Sequence, residues 1–343
     1  MVQGMKMNRG IAGCFAAVLF AWGAVAIAPS VARAEETSLA LPAVSLTFTP
    51  AYVAEAKGFW KDQGLNVKET LIHGVGAPNA VIAGSVDFTL TTASTFGRAA
   101  ARGQRMLVIA NLLDRPMMEL VLRKDFADAK HFDPKAPLAE RAKALKGATI
   151  AVDGIYTNLH AYAQLVAIRA GLDPETDIRV TPMPAPNMPA ALKTKSIDGF
   201  SSSLPWTISA VQSGEAVMVA SSARGDLPEL VPFNYSVVMT RPSLCAEHRS
   251  ICEKMAHGFV LANQFIKDHP QETVMLVKSR FSTMSDAILA ASIETIRGAI
   301  SVPPLPTLKG FENSEQFNVN ARVMKPDEAL KSFAGLYTTE FVK

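Results

Sequence analysis

Residues 44–67 read VSLTFTPAYVAEAKGFWKDQGLNV. Val44 to Phe48 alternates apolar and polar residues, the period of a half-buried strand, and the run ends at Pro50. Ala51 to Lys61 carries apolar residues at helical spacing. Gly64 stops that helix, and Leu65 to Ile72 reads as the next strand. Strand, helix, glycine turn, strand is the unit from which parallel sheets are built, because parallel strands need a crossover of helical length.

The same unit recurs downstream. Ala77 to Ala83 is a short helix and Val86 to Thr92 a strand; Ser94 then caps a helix over Thr95 to Arg102. Met106 to Ala110 and Glu119 to Leu122 are strand-like. From Asp125 to Lys143 the chain is charged and broken by Pro134 and Pro137, which marks a boundary or a surface excursion. A second series follows: strands at Ala148–Val152, Ile178–Thr181, Asp198–Ser201, Ala216–Ala220 and Tyr235–Met239, with helices at Asn158–Ala170, Pro189–Thr194 and Trp206–Gln212. The C-terminal third is helical, near Cys252–Asp268, Gln271–Lys278, Ser285–Gly298 and Pro326–Ala334. Two successive series predict an α/β protein of two lobes, each a mostly parallel sheet flanked by helices. The expected division is residues 35–125 for the first part of lobe 1, 126–225 for lobe 2, and 226–343 for the return to lobe 1. Hinges are expected near Asp125 and at Ala223 to Pro232. Ligands of open α/β sheets sit beyond the carboxyl ends of the strands, so two facing lobes would bind in the cleft between them.

At the N-terminus Lys6 and Arg9 precede an uncharged run, Ile11 to Ala28. Pro29-Ser30 breaks it, and Ala32-Arg33-Ala34 gives a small-x-small cleavage pattern. This is the order of a secretory signal peptide, residues 1–34, cut after Ala34. The other reading is a membrane anchor, since 18 residues is near the lower limit for a spanning helix. Pro29 and the cleavage pattern favour removal. Cys14 sits ahead of nearly all of the apolar run, the wrong place for a lipoprotein box. The chain has 34 Lys+Arg against 31 Asp+Glu. Lys6, Arg9 and Arg33 fall in the leader, which has no acid, so the remainder is balanced. Neither nucleic acid nor a membrane surface is called for.

Outside the leader the cysteines are Cys245 and Cys252. Seven residues along one helix rise about 10.5 Å, too far for a disulfide. A bond therefore needs Cys245 in a turn before the helix that carries Cys252; Pro242-Ser243 makes room for one. Two separate buried thiols are the alternative, and the oxidising compartment favours the bond. No zinc spacing accompanies them, and no metal or cofactor is expected.

Three segments carry further information: AKGFWKDQGLNV (56–67), GSVDF (84–88) and LKGATIAV (145–152). Their order and spacing resemble the periplasmic solute-binding proteins of ABC importers in the nitrate, sulfonate, taurine and thiamine-precursor group. The resemblance covers roughly Leu46 to Met239. It implies two α/β lobes of the type II periplasmic-binding-protein fold, closure on a small solute, and delivery to an inner-membrane permease. A monomer in the periplasm is expected. The resemblance also places ligand contacts on the loops after the strands, which here hold Thr49, Tyr52, Gly76, Thr91, Thr92 and Ser94 in lobe 1, and Tyr156, Thr157, Asn158, Ser202 and Trp206 in lobe 2. Ser94, Thr157 and Asn158 could cap helices, contact a ligand, or both; free amides at helix amino ends suit an anionic or strongly accepting group. Tyr52, Tyr156 and Trp206 could stack on a ring, and Trp206 could equally belong to the core. Sulfonate-binding members commonly have Gly-Ser where this chain has Ile155-Tyr156-Thr157, which leans toward a planar organic ligand. Asp114, Arg115 and Asp153 follow strands and could face the cleft, but read first as solvated loop charges, and His73 reads as structural.

No catalytic residue is expected. The chain lacks a Gly-x-Ser-x-Gly elbow and a phosphate-binding Gly-x-x-x-x-Gly-Lys-Ser/Thr loop. A pyrimidine-forming enzyme on the same fold uses a cysteine-rich iron motif that is absent here. A ligand-presenting partner of a sensor is a further alternative, because its binding lobes would look the same.

Overall fold

A computed structural model describes residues 34–342. The expected signal peptide and Cys14 lie outside the described residues. The described chain forms one compact unit built on two five-stranded sheets. Among the described residues no helix is long and apolar enough to cross a membrane.

The first lobe begins with β1 (Glu35–Leu41), α1 (Thr49–Ala56), β2 (Leu65–Leu71), α2 (Gly76–Ile82), β3 (Phe88–Thr91), α3 (Ala93–Ala101) and β4 (Leu107–Leu113). The chain then crosses to β5 (Glu119–Arg123), α4 (Lys124–Ala129), α5 (Leu138–Arg141), β6 (Thr149–Val152), α6 (Asn158–Arg169), β7 (Arg179–Pro182), α7 (Met188–Lys193), β8 (Gly199–Ser202), α8 (Trp206–Gln212) and β9 (Ala216–Ser221). It returns with β10 (Ser236–Thr240), followed by α9 (Pro242–Glu247), α10 (Arg249–Asp268), α11 (Pro270–Lys278), α12 (Asp286–Ala299) and α13 (Leu308–Asn320).

The sheet orders are β2-β1-β3-β10-β4 and β7-β6-β8-β5-β9. In each, the fourth strand runs antiparallel to both neighbours and is the first strand after a crossing. Strands β3, β8 and β10 are buried at every residue. That is the signature of a sheet covered by helices on both faces. Gly64 adopts the left-handed conformation (φ 71°) that ends the short turn after α1 and starts β2. The neighbouring Trp60 packs edge-on to Phe259 at 5.2 Å and donates to the Met255 carbonyl at 3.1 Å, tying this corner to α10.

Several expectations shift. Residues 44–48 are not a strand. Ser45 is an extended cap that accepts from the Thr47 amide and starts a short 3-10 turn, Leu46–Phe48, running into α1. The first strand is β1 instead, beginning at Glu35. The expected lobe boundary at 125 moves to 114–118, because β5 pairs with β8 and β9 in the second sheet. Asp125 lies within α4, paired with Arg123 and Lys195, not at a hinge. The crossing 114–118 runs beside the returning one: the Phe233 amide donates to Asp114 O (2.8 Å), Tyr235 to Leu113 O (3.0 Å) and Ser222 to Met118 O (2.9 Å). The helix cap before α3 is Thr92, not Ser94. Residues 326–334 are turns, and the last long helix is α13.

Cys245 and Cys252 form a disulfide with Cα atoms 5.6 Å apart. Cys245 is in α9 rather than in a turn. The break at His248 (φ −130°, ψ 57°) between α9 and α10 brings the two within reach.

Candidate functional site

The carboxyl ends of the two sheets face each other, and a cavity of about 50 Å³ lies between them. Lobe 1 lines it with the segment after β1 (Pro42, Ala43, Ser45, Thr47, Phe48), with Gly74 and Val75 after β2, and with Thr91, Thr92 and Thr95 around the start of α3. Lobe 2 contributes Asp153, Thr157, Asn158 and Leu159 after β6, Ala185 after β7, and Ser202 and Ser203 after β8. Tyr235 enters from the returning crossing.

Local chemistry fixes these walls. Thr92 is extended and its hydroxyl accepts from the Thr95 amide at 3.2 Å, starting α3 at the cavity edge. Thr157 does the same for α6, accepting from the His160 amide at 3.3 Å. Thr157 Oγ1 also lies 2.7 Å from Asp153 Oδ1 and 2.8 Å from the Gly154 carbonyl. Both helices thus present their amino ends to the cavity. Asp153 is partly buried in the wall, and desolvation pushes its carboxyl up to about 6 despite the Thr157 hydroxyl. Burial likewise raises the Tyr235 phenol, which sits against Asn158 and Thr47. His160, on α6, is held below its ordinary value by burial and by Arg98. Ser202 is 1% exposed, and its hydroxyl has no hydrogen-bond partner. Such a group costs free energy where it stands.

The lobes meet directly around the cavity. Ser45 Oγ and Ser203 Oγ are 2.7 Å apart, the Leu46 amide donates to Leu204 O at 3.0 Å, and Trp206 Nε1 donates to Val44 O at 2.8 Å. Gly74, at φ 58°, packs on Gly154 and Thr157, where a Cβ would lie 3.6 Å from the Thr157 methyl. Arg98, buried on α3, reaches Asn318 Oδ1 and donates across to the Tyr156 carbonyl.

Of the residues expected from the sequence, Thr91, Thr92, Thr157, Asn158 and Ser202 line the cavity. The others do not. Thr49 is buried and donates to Leu46 O at 2.6 Å. Tyr52 donates to Ser45 O at 3.1 Å, with Phe281 and the Arg280 guanidinium against its ring, so it braces the lining segment from behind. Gly76 opens α2 while Gly74 and Val75 take the wall. Ser94 bonds Thr92 at 2.9 Å, and its carbonyl accepts from Asn318 on α13. Tyr156 is left-handed (φ 65°) and 61% exposed, edge-on to His160. Trp206 packs on Phe281 and latches to Val44. Asp114 and Arg115 lie in the crossing as a half-exposed pair. Asp153, read as a solvated charge, is instead a wall of the cavity. Ser45, Thr47, Phe48 and Tyr235 were not singled out; the alternating 44–48 pattern concealed the first three.

The geometry has counterparts. The chain is 24% identical over 315 residues to YtlA of Bacillus subtilis (strain 168), a protein provisionally named as a binding protein, covering 89% of each chain. It is similar to the alkanesulfonate-binding protein SsuA from Xanthomonas axonopodis pv. citri bound to MOPS, with a TM-score of 0.68 and 14% identity over 89% of this chain and 98% of that one. A Candida albicans protein described as having the generic periplasmic-binding-protein fold matches with a TM-score of 0.68 and 14% identity, over 89% of this chain and 96% of that one. The fold is thus the periplasmic-binding-protein fold, two lobes with a mixed sheet in each. The NMT1-like family model matches residues 32–279. The chain belongs to the NMT1-like family.

Proposed function

We propose that this protein is the solute receptor of an ABC importer: exported with removal of residues 1–34, it captures a small organic solute between its lobes as a monomer and delivers it to a membrane permease. The observation that carries this reading is the cavity shared by both lobes, one of whose lining residues, Ser202, has a buried hydroxyl with no protein partner. A solute that supplies Ser202 with a partner and touches both walls has differential affinity for the shut form, which is what drives closure. The paired crossings at 114–118 and 222–235 are the hinge. Ser45–Ser203, Leu46–Leu204 and Trp206–Val44 are the contacts that opening breaks and closure remakes. The likeness to a sulfonate-binding protein supports the same reading.

A thermal-shift screen of the purified protein tests it, using small cations, anions, sugars, amino acids and heterocycles. A solute at 100 times its dissociation constant adds about 2.7 kcal/mol. Small-angle scattering should report compaction with the same solute, and deletion of the gene should abolish its uptake. Chemical turnover of a bound solute, or silence of the whole screen, would overturn the reading.

A further inference from the structure

The cavity's charge is unlike that of an oxyanion site. Among its 18 lining residues there is no lysine or arginine, and the one formal charge is Asp153. No cation contributes to the surroundings of that carboxyl; what holds its charge is the Thr157 hydroxyl and the amides at 153–154. The amino ends of α3 and α6 pull the other way, since each helix end presents about half a positive charge. Two such ends are answered by one full carboxylate already standing among them, so a second anion would meet a like charge with nothing left to offset it.

Strand register adds a second group. Strand β6 pairs with β8 at Ile150–Gly199 and Ala151–Phe200. Continued by two steps, that register puts Asp153 and Ser202 at facing positions of adjacent chain segments, each just past or at the carboxyl end of its strand, with no hydrogen bond between their side chains. Ser202 is the buried hydroxyl without a partner. A carboxylate with spare lone pairs and an unsatisfied hydroxyl on the adjoining segment are both acceptors for N–H donors. The apolar part of the lining is Phe48, Val75, Leu159 and the Tyr235 ring, which suits an apolar or planar body. The free space holds roughly four water molecules, the size of a solute with few non-hydrogen atoms.

We propose that Asp153 sets the ligand class of this cavity: with Ser202 it receives the N–H groups of a small uncharged or cationic solute and excludes oxyanions of the same shape. The proposal rests on the solute-receptor reading above and narrows it, against the anionic ligand that the helix ends alone would suggest.

Three isosteric pairs test it by titration calorimetry on the purified protein: guanidinium against nitrate, acetamidinium against acetate, and benzamidine against benzoate. At least one cation should bind ten or more times tighter than its matched anion. Asp153→Asn should erase that preference. Ser202→Ala, which deletes a hydroxyl with no protein partner, should weaken the cation about fivefold while the protein stays folded. An anion that binds as tightly as its matched cation overturns the assignment and leaves the receptor reading intact. So does an unchanged preference in Asp153→Asn, or an unchanged cation affinity in Ser202→Ala. Silence of all six probes up to about 10 mM overturns the assignment; silence of the broader thermal-shift screen as well overturns both.

Discussion

Trp206→Phe separates a latch from a ligand contact. The indole is 6% exposed, its Nε1 donates to Val44 O at 2.8 Å, and its ring lies 6.0 Å from that of Phe281. Val44 and Phe281 belong to the first lobe and Trp206 to the second, so both contacts exist only when the lobes are shut. Phenylalanine keeps most of the ring and removes the donor. Val44 is only partly buried, so water can reach its carbonyl and the full cost of an orphaned buried group does not apply. The net loss is that of one ordinary hydrogen bond, about 1 kcal/mol. Borne by the shut form alone, it lowers the affinity of every solute by about fivefold, because 1.4 kcal/mol corresponds to a factor of ten. Titration calorimetry with two chemically different solutes should give the same factor for both. Small-angle scattering at saturating solute should still show the compact form. An unchanged affinity would refute the latch, and a loss confined to one solute would return Trp206 to the site.

Other outcomes follow from the same structure. Replacing both Cys245 and Cys252 by alanine opens an eight-residue ring, for which chain entropy predicts a loss of about 2.5 kcal/mol; thermal unfolding with and without reductant should show the same drop in wild type and no reductant effect in the variant. Asp153 binds its proton more readily folded, at about 6, than at the ordinary 3.8. A raised carboxyl destabilises the fold as pH rises through that window, so the stability of wild type relative to Asp153→Asn should fall between about pH 4 and 6. The neighbouring Tyr235 and His160, present in both proteins, cancel in that difference; a flat difference would refute the raised value. Arg98→Met takes a charged donor from Asn318, Thr95 and the Tyr156 carbonyl. Urea unfolding should show a loss of about 2–3 kcal/mol, and a loss below half of that would mean the arginine is not holding α3, α13 and the second lobe together.

What the sequence disclosed follows the range of the physics involved. The Gly64 turn, the Thr157 start of α6 and the run Trp206–Gln212 are local, and the structure has them where the pattern put them. Thr92 and Ser94 are two hydroxyls two residues apart, and nothing local decides which of them caps. Strand β1 was hidden because its first residues, Glu35 to Ser38, are polar and adjoin the expected leader. Helix α13 was hidden because LKGFENSEQFNVN has weak helix formers, while its buried Phe311 and Phe317 mark its inner face only once their neighbours are known. Conversely, residues 326–334 have helical composition and no helix. In the site, hydroxyls on the right loops were legible. The aromatic residues expected on those loops do not line the cavity; Tyr52 and Trp206 are held by Phe281, more than 70 residues away in sequence from either. Asp153 looked solvated because residues that share the cavity with it, Thr47, Phe48 and Tyr235, come from remote parts of the chain.

The position of β10 bears on how the chain acquires its shape. Every strand of the second sheet comes from residues 119–221, a continuous segment. The first sheet cannot join β3 to β4 until β10 arrives between them, from beyond the whole of the second lobe. During synthesis the second lobe therefore has all its strands while the first still has an open seam. Closing that seam means forming contacts between residues more than a hundred apart, the slow class of folding event. A helper that holds the first lobe's strands apart until the end of the chain has emerged would protect this seam above all others.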